Sequence, residues 1–444
     1  MYPIKTQNIV NIYSPRSTKV FSVGRYKTPL NHSWNKSVGR TYESTNCYYK
    51  AMKPFLIVLR TLGLLPYHLT NRGEPAFKAM SIQMLYSVVL GIALTVSGAI
   101  MLRNRYKQIL HSTNRPFEYI VSEIALSIEY IILIVSPLTH LIECRKKIRF
   151  ICEWETLQVE FNQVTGKHLT LGLRWKPVLV LLLIIPETLA LIFFMDVFYI
   201  DAKWWHIFIS TVGPAIAWTM IWLFIFTCSA LDKVATAVGD ELVQYIATNG
   251  CRRAYKISQY KYLWIRLSEL TKDFGNCNGF SYGGFILFSF VTAILCCYGS
   301  MTIFYREINL TNLTLVMSTL FFQLIMCQFC NKAQNTTTKV GAQFQKRLQS
   351  VMRQHQSTNA FSSHEVQSFF STMSLNPPEL NLCGFVIVNR ALNTSMISQM
   401  VTYIIVLMQF QISVHEAIQK NRNGTSIDLE NGVSEAVSSS AIMS

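Results

Sequence analysis

Seven apolar stretches constrain this chain more than any other feature of its sequence. Each is about 19 residues or longer, which is enough for a helix to cross roughly 30 Å of hydrocarbon. They run approximately over Ser81–Leu102, Tyr119–His140, Pro177–Tyr199, His206–Ala230, Gly279–Phe304, Asn312–Cys330 and Ala391–Ile412. The sequence therefore predicts an all-α, multi-pass membrane protein with seven transmembrane helices.

The composition agrees with this class. Of the 444 residues, 50% are hydrophobic and only 14% are charged, whereas a soluble globular chain carries about a quarter charged residues. The same proportions exclude a disordered chain, a collagen and a disulfide-rich secreted scaffold.

The basic residues predict the orientation of the spans, because Lys and Arg are retained on the cytoplasmic side. With the N-terminus inside, 32 of the 40 basic residues fall in inner segments and 8 in outer ones. The first 50 residues are polar and basic and do not resemble a signal peptide, which indicates a cytosolic tail. The net charge of +16 then reflects topology and contact with anionic membrane lipid, and nucleic acid is not an expected partner.

Three inner segments carry apolar residues at helical spacing, which places them on one face of each helix. These residues are Phe150, Trp154, Leu157 and Phe161, then Leu263, Leu267 and Leu270, then Val366, Phe369, Phe370 and Met373. We expect a cytosolic bundle of helical extensions in which these faces pack together. The alternative is that each helix lies flat on lipid.

No residue pattern points to catalysis. The nine histidines are scattered, and there is no HExxH motif, GxSxG elbow or phosphate-cradling glycine loop. We therefore expect no enzyme activity, no metal site and no cofactor.

Polar side chains within the spans are functional candidates because they are costly in hydrocarbon. Six of them fall in the predicted outer halves of spans two to five, where they would line a small cavity open to the outside. They are Glu123, Ser127, Asp196, His206, Trp218 and Tyr298. The alternative for each is an interhelical hydrogen bond or an aromatic anchor at the membrane interface.

The seventh span has one narrow polar face. At about 100° per residue, small and polar side chains fall within roughly 60° of Ser395. They are Ser398, Thr402, Val406, Gln409 and Ser413. Such a stripe either lines a pore or packs closely against other helices. If the stripe lines a pore, Val406, Gln409 and Phe410 form the constriction. This hypothesis requires an oligomer, because one such helix cannot enclose a channel.

The residues Thr402-Tyr403 and Gln409-Phe410, separated by five hydrophobic residues, resemble the signature in the last span of insect gustatory receptors. Four further stretches are similar to the carbon-dioxide receptor branch of that family. They are Tyr260–Ser268, Val340-Gly341 with Phe344-Gln345, Asn376-Pro377-Pro378 through Asn381-Leu382 and Asn389-Arg390, and Val164–Lys167. The likeness covers roughly Lys53 to Gln411.

This resemblance implies a tetrameric, ligand-gated, nonselective cation channel of sensory-neuron plasma membranes, assembled with sibling subunits and gated by carbon dioxide or bicarbonate. It assigns pore-lining roles to Thr402, Tyr403, Gln409 and Phe410. The implied regions are a cytosolic tail (1–52), a six-helix ligand-sensing region (53–390), a pore helix (391–413) and an extracellular tail (414–444). A sugar-sensing receptor of the same family, a multi-span transporter and a nonconducting partner subunit stay open as alternatives.

Overall fold

The described part of the chain is built almost entirely of helices. The computed structural model describes residues 46–71, 73–111, 117–173, 175–184, 186, 204–249, 254–301, 310–354, 360–410 and 412–413. The elements in chain order are α1 (Cys47–Thr61), β1 (His68–Leu69), β2 (Pro75–Ala76), α2 (Ile82–His111), α3 (Phe117–Thr165), α4 (176–184), α5 (Trp204–Asn249), α6 (Ala254–Cys277), α7 (Gly279–Met301), α8 (Leu310–Thr338), a π-helix (Lys339–Gln343), α9 (Phe344–Gln354), α10 (Ala360–Leu375), β3 (Asn381–Leu382), β4 (Val386–Ile387) and α11 (Arg390–Phe410).

Five of the predicted spans coincide with helices that are long and apolar enough to cross a membrane, namely α2, α3, α5, α7 and α11. The sixth predicted span lies within α8, whose 29 residues measure roughly 43 Å. The third begins in α4 and otherwise falls outside the described residues. The chain is an all-α, multi-pass membrane protein, as predicted.

Two helices continue well beyond the apolar stretches that start them. The 49 residues of α3 measure roughly 74 Å, and α5 has 46 residues. The extension of α3 carries Phe150, Trp154, Leu157 and Phe161, all buried. They pack with α6, and α6 in turn contacts α10. The predicted apolar faces of α6 and α10 are also buried, except for the half-buried Phe370. The prediction that these faces form a bundle is confirmed, and we refer to α6, α9, α10 and the extensions of α3 and α5 as the bundle.

The first described helix belongs to this core. Asn46 caps α1 by accepting a hydrogen bond from the Tyr49 N–H, and the Tyr48 ring stacks on Trp154 with 4.4 Å between ring centroids. The predicted boundary between tail and membrane region, at residues 52 and 53, therefore lies inside a helix. The sequence did not predict α1 because it is too short and too polar to span a membrane.

Two short antiparallel hairpins were not predicted. The second, β3–β4, turns through Cys383 and Gly384, both at positive φ. It lies against the junction of α6 and α7, where Gly275 and Gly279 leave no room for a side chain. A Cβ at Gly275 would collide with the backbone of Asn381, and one at Gly279 with Cys383.

A single π-helical turn joins α8 to α9. The Trp264 indole N–H of α6 donates to the Val340 carbonyl oxygen at 2.8 Å. The Lys339 Nζ lies 3.3 Å from the Asp232 carboxylate of α5, which also binds Lys332 at 2.8 Å. Such turns are rare and frequently occur at functional sites, and this one is held from two neighbouring helices.

Candidate pore helix and ligand-binding residues

The terminal helix α11 buries one face and leaves its polar stripe exposed. Met396, Met400 and Ile404 are buried, and their four-residue spacing places them together on one side. The polar stripe lies on the side roughly 160° away. All of its members are exposed, namely Ser395, Ser398, Thr402, Val406, Gln409 and Ser413. The flanking signature residues Tyr403 and Phe410 are exposed as well.

The hydroxyls of this stripe bond within the helix. The Thr402 hydroxyl donates to the Ser398 carbonyl at 3.1 Å, and the Ser413 hydroxyl to the Gln409 carbonyl at 3.0 Å. The hydroxyl oxygens keep lone pairs that face outward. The stripe is therefore uncharged and rich in acceptors.

The first turn of α11 is fixed to α8. The Asn389 side chain accepts the Leu392 N–H at 2.9 Å, which caps the helix. The Arg390 guanidinium donates to Asn331 at 2.7 Å and to Asn335 at 3.1 Å. This base connects α11 to the bundle through the π-helix at the end of α8.

The structure places four of the six predicted ligand residues. Glu123 is buried and pairs with Arg105 of α2 at 3.1 Å, and the Ser127 hydroxyl donates to the Glu123 carbonyl at 2.7 Å. The Trp218 ring contacts Phe321, with centroids 5.2 Å apart, and Tyr298 is buried. These contacts bring Glu123 and Ser127 together. Asp196 and the side chain of His206 lie outside the described residues.

The sequence missed a buried polar cluster between α3 and α7. Its members are His140, Glu143, Lys147 and Ser281, of which the first three are buried. The Glu143 carboxylate caps α7 by accepting the Phe280 N–H at 2.6 Å and the Ser281 hydroxyl, and it pairs with Lys147 at 3.1 Å. A carboxylate is favourable at a helix N-terminus because of the helix dipole. The spacing of Glu143 and Lys147 was a readable signal, but their contact with Ser281 was not.

Three of the four stretches that resemble the carbon-dioxide branch meet in the bundle. Trp264 binds the Val340 carbonyl, and the Ser268 hydroxyl lies 3.4 Å from the Asn376 carbonyl. A Cβ at Gly341 would lie 3.1 Å from the Pro378 ring. These stretches therefore contribute to the junction of α6, the π-helix and the segment before α11.

One thiol at the start of α1 illustrates the electrostatics of this core. Burial raises the pKa of Cys47 to about 12, because the protein interior solvates a thiolate poorly. The phenol of Tyr260 in α6 has its pKa raised to about 12 for the same reason. Both groups are neutral at physiological pH.

The fold and the exposed terminal helix define an all-α, multi-span membrane protein, and comparison with known proteins gives the family. The sequence profile described as 7tm chemosensory receptor matches residues 52–414. The chain is 28% identical over 372 residues to gustatory and odorant receptor 24 of Anopheles gambiae, covering 84% of this chain and 80% of that one. It is 25% identical over 390 residues to gustatory and odorant receptor 21a of Drosophila melanogaster, covering 84% and 82%.

A solved structure has a similar fold. The insect olfactory receptor OR5 from Machilis hrabei superimposes with a TM-score of 0.53 at 13% identity, covering 81% of this chain and 98% of that one. The same receptor in complex with eugenol gives 0.53 at 12% identity, covering 82% and 98%. This chain belongs to the 7tm chemosensory receptor family, among the insect gustatory receptors.

Proposed function

We propose that this chain is a subunit of a ligand-gated, nonselective cation channel that responds to carbon dioxide or bicarbonate. The observation that carries the proposal is the position of the polar stripe, on the side of α11 opposite to Met396, Met400 and Ile404. Among the described residues, the rest of the chain covers only the buried side of α11, so the stripe is available to other copies. A ring of such helices encloses a polar, uncharged path for cations.

The assembly we propose is a tetramer with sibling gustatory receptor subunits in the plasma membrane of sensory neurons. The tail (1–52) and the bundle lie inside, and the segment after the pore helix (414–444) lies outside. The pore helix is 391–413, and residues 53–390 hold the ligand-sensing region. The distribution of 32 basic residues on the inner side supports this orientation.

The proposal of carbon dioxide as ligand rests on the four stretches that resemble that branch of the family. A ligand opens a channel only by binding the open state more tightly than the closed one. Carbon dioxide has three heavy atoms, and at about 1.5 kcal/mol per atom its binding free energy has a ceiling of about 4 to 5 kcal/mol. This corresponds to a dissociation constant near a millimolar, so a steep response needs several sites or a channel already close to opening.

The six outer residues stay a predicted ligand site. Since Arg105 neutralises Glu123 in a buried pair, removal of either charge disturbs the contact between α2 and α3 as well as any ligand. His206→Ala is the cleaner test. It is expected to alter the ligand response and to leave permeation unchanged, and an unaltered dose response excludes His206 from sensing.

The test of the proposed function is whole-cell current during pulses of dissolved carbon dioxide at fixed external pH. The chain is expressed alone and with candidate sibling subunits, and surface labelling confirms its delivery. We expect a cation current that requires this chain. Comparison of the two conditions shows whether a partner is needed, and omission of the chain is the control.

Three results contradict the proposal. A current evoked by sugars and not by carbon dioxide moves the ligand to the sugar class within the same family. Saturable uptake of a solute without channel currents indicates a transporter. Silence in every combination, with the protein at the surface, excludes carbon dioxide as the ligand and leaves the family assignment unchanged.

A further inference from the structure

A small cavity lies between α3, α5 and α7. Its volume is about 40 Å³. Its walls are largely apolar and aromatic, with Ile216 and Met220 from α5 and Phe285 and Phe288 from α7. The apolar walls favour a ligand with little affinity for water.

The polar side of the cavity is formed by Ser136, Thr139, His140 and Ser281. The His140 Nδ1 lies 2.9 Å from the Ser136 carbonyl oxygen. Because a carbonyl only accepts, Nδ1 carries the hydrogen, and the Nε2 of the neutral ring keeps a lone pair. The neighbour of Nε2 is the Met220 sulfur at 3.2 Å, and a thioether has no hydrogen to donate. The Nε2 lone pair is therefore covered by Met220, and the ring presents no N–H on that side of the cavity.

The charges beside the cavity compensate each other. Glu143 and Lys147 form an ion pair at 3.1 Å, and both contact Ser281. No spare positive charge remains on this pair, and the nearby carboxylate repels anions. Transfer of an unpaired anion into such a site is costly. The cavity thus favours a neutral molecule over bicarbonate.

The size of the cavity restricts the occupant further. One water molecule needs roughly 10 to 15 Å³ of such space, so a cavity of about 40 Å³ accepts a molecule of two or three heavy atoms. Pockets for sugar-sized or drug-sized ligands measure about 300 Å³ or more. A sugar does not fit here.

We infer that this cavity binds carbon dioxide as the neutral gas, with its length along the aromatic wall. The contact is noncovalent, and no proton moves. This inference rests on the proposed function and deepens it, because it selects the gas over bicarbonate and places its site in the membrane interior. It is separate from the predicted outer site at Glu123 and His206.

Two adjacent glycines of α7 provide a matched test. Gly284 lines the cavity, and a Cβ there would meet only the Phe288 ring at 3.9 Å. A Cβ at Gly283 would meet nothing within 4 Å, and Gly283 does not line the cavity. Gly284→Ala and Gly283→Ala therefore change helix propensity equally, but only the first fills the cavity.

The first readout is the dose response to dissolved carbon dioxide, at fixed pH, of the full chain expressed with its siblings. We expect Gly284→Ala to raise the half-maximal concentration at least threefold and Gly283→Ala to leave it unchanged. Ala217→Val, which fills the cavity from α5, is expected to act like Gly284→Ala. Equal dose responses for the two alanine variants, or a lower maximal current without a shift in half-maximal concentration, overturn the inference.

The second readout is independent of gating. Infrared spectra of the purified full chain under ¹³C-labelled carbon dioxide are expected to show a band from bound gas. The band is expected to persist in Gly283→Ala and to disappear in Gly284→Ala. A wild-type channel that opens with carbon dioxide but shows no such band overturns the cavity site and leaves the proposed function intact. A wild-type channel that does not respond to the gas overturns the proposed function itself.

Discussion

The bundle and the terminal helix α11 are stabilised in opposite ways. In the bundle, Trp264, Leu267 and Phe369 are fully buried within one chain. In the most apolar 18-residue stretch of α11, only 17% is buried within the chain, and the corresponding stretch of α2 is buried to the same extent. The bundle therefore completes its own core, whereas α11 and α2 depend on lipid or on other subunits for most of their contacts. Folding of the chain and formation of the proposed pore are thus separable properties.

The largest effect on stability is expected from Trp264→Ala, which leaves a cavity in the core of the bundle. The change removes a fully buried indole and its hydrogen bond to the Val340 carbonyl at 2.8 Å. Loss of a buried aromatic side chain costs about 3 to 5 kcal/mol. We expect a lower thermal unfolding midpoint in detergent and little protein at the cell surface.

The control for Trp264→Ala is Tyr255→Ala in the same helix, because Tyr255 is 72% exposed. It is expected to leave the unfolding midpoint and the surface level near those of the wild type. If both variants lost the same amount of thermal stability and surface protein, side-chain truncation anywhere in α6 would be harmful. That result would contradict the role of burial at Trp264.

The next effect concerns two aspartates of α5. Asp232 is buried and binds Lys332 and Lys339, whereas Asp240 pairs with Arg347 at the surface, with 65% and 47% of the two side chains exposed. We expect Asp232→Asn to lower the free energy of unfolding by about 1 to 3 kcal/mol, since both lysines lose their anion. Asp240→Asn is expected to cost less than about 1 kcal/mol. Chemical denaturation of the two variants side by side measures the difference, and equal costs would contradict the role of burial.

Substitution of Gln409 in α11 is expected to have a small effect on stability and a large effect on function. Gln409 is exposed in the stripe, so Gln409→Ala leaves the unfolding midpoint unchanged. In the channel it is expected to change conductance or ion selectivity. The control is Val401→Ala, also exposed but about 100° away from the centre of the stripe. Unchanged currents in Gln409→Ala would remove this residue from the pore.

The smallest effect is expected from pH. Burial raises the pKa of Cys47 from its ordinary value of 9.0 to about 12. The folded chain then keeps a proton that the unfolded chain loses, so this contribution to stability is present below pH 9 and is lost as the pH rises toward 12. At pH 7 no effect is expected. Denaturation curves of wild type and Cys47→Ser between pH 8 and 11 test this, and parallel pH dependence in the two proteins would exclude Cys47 as its source.

The contrast between the bundle and the membrane helices also explains which parts of the fold could be predicted from the sequence. In the bundle one face of each helix meets water and the other meets protein, so Leu263, Leu267 and Leu270 recur with a helical period that can be read directly. In the membrane both faces are apolar. The position of α11 as a span was therefore predictable, whereas the burial of Met396, Met400 and Ile404 required the structure.

Contacts between distant polar residues were beyond prediction. Glu123 was selected as a ligand residue from its position in hydrocarbon, but its partner Arg105 lies 18 residues earlier, near the end of the preceding helix α2. His140 and Ser281 are 141 residues apart in sequence. Taken alone, each is an ordinary polar side chain in a helix, so the sequence does not indicate that they meet. The π-helix gave no signal either, because Lys339–Gln343 continues the composition of α8.

The two glycines beneath the β3–β4 hairpin have a genetic consequence. Because Gly275 and Gly279 exclude a side chain, any substitution there displaces the hairpin, and α11 begins three residues after β4 ends. Alleles with larger residues at these positions are therefore expected to behave as receptor nulls in a screen of sensory behaviour. Their carriers would lack the response even though the altered residue belongs to neither the proposed ligand cavity nor the polar stripe.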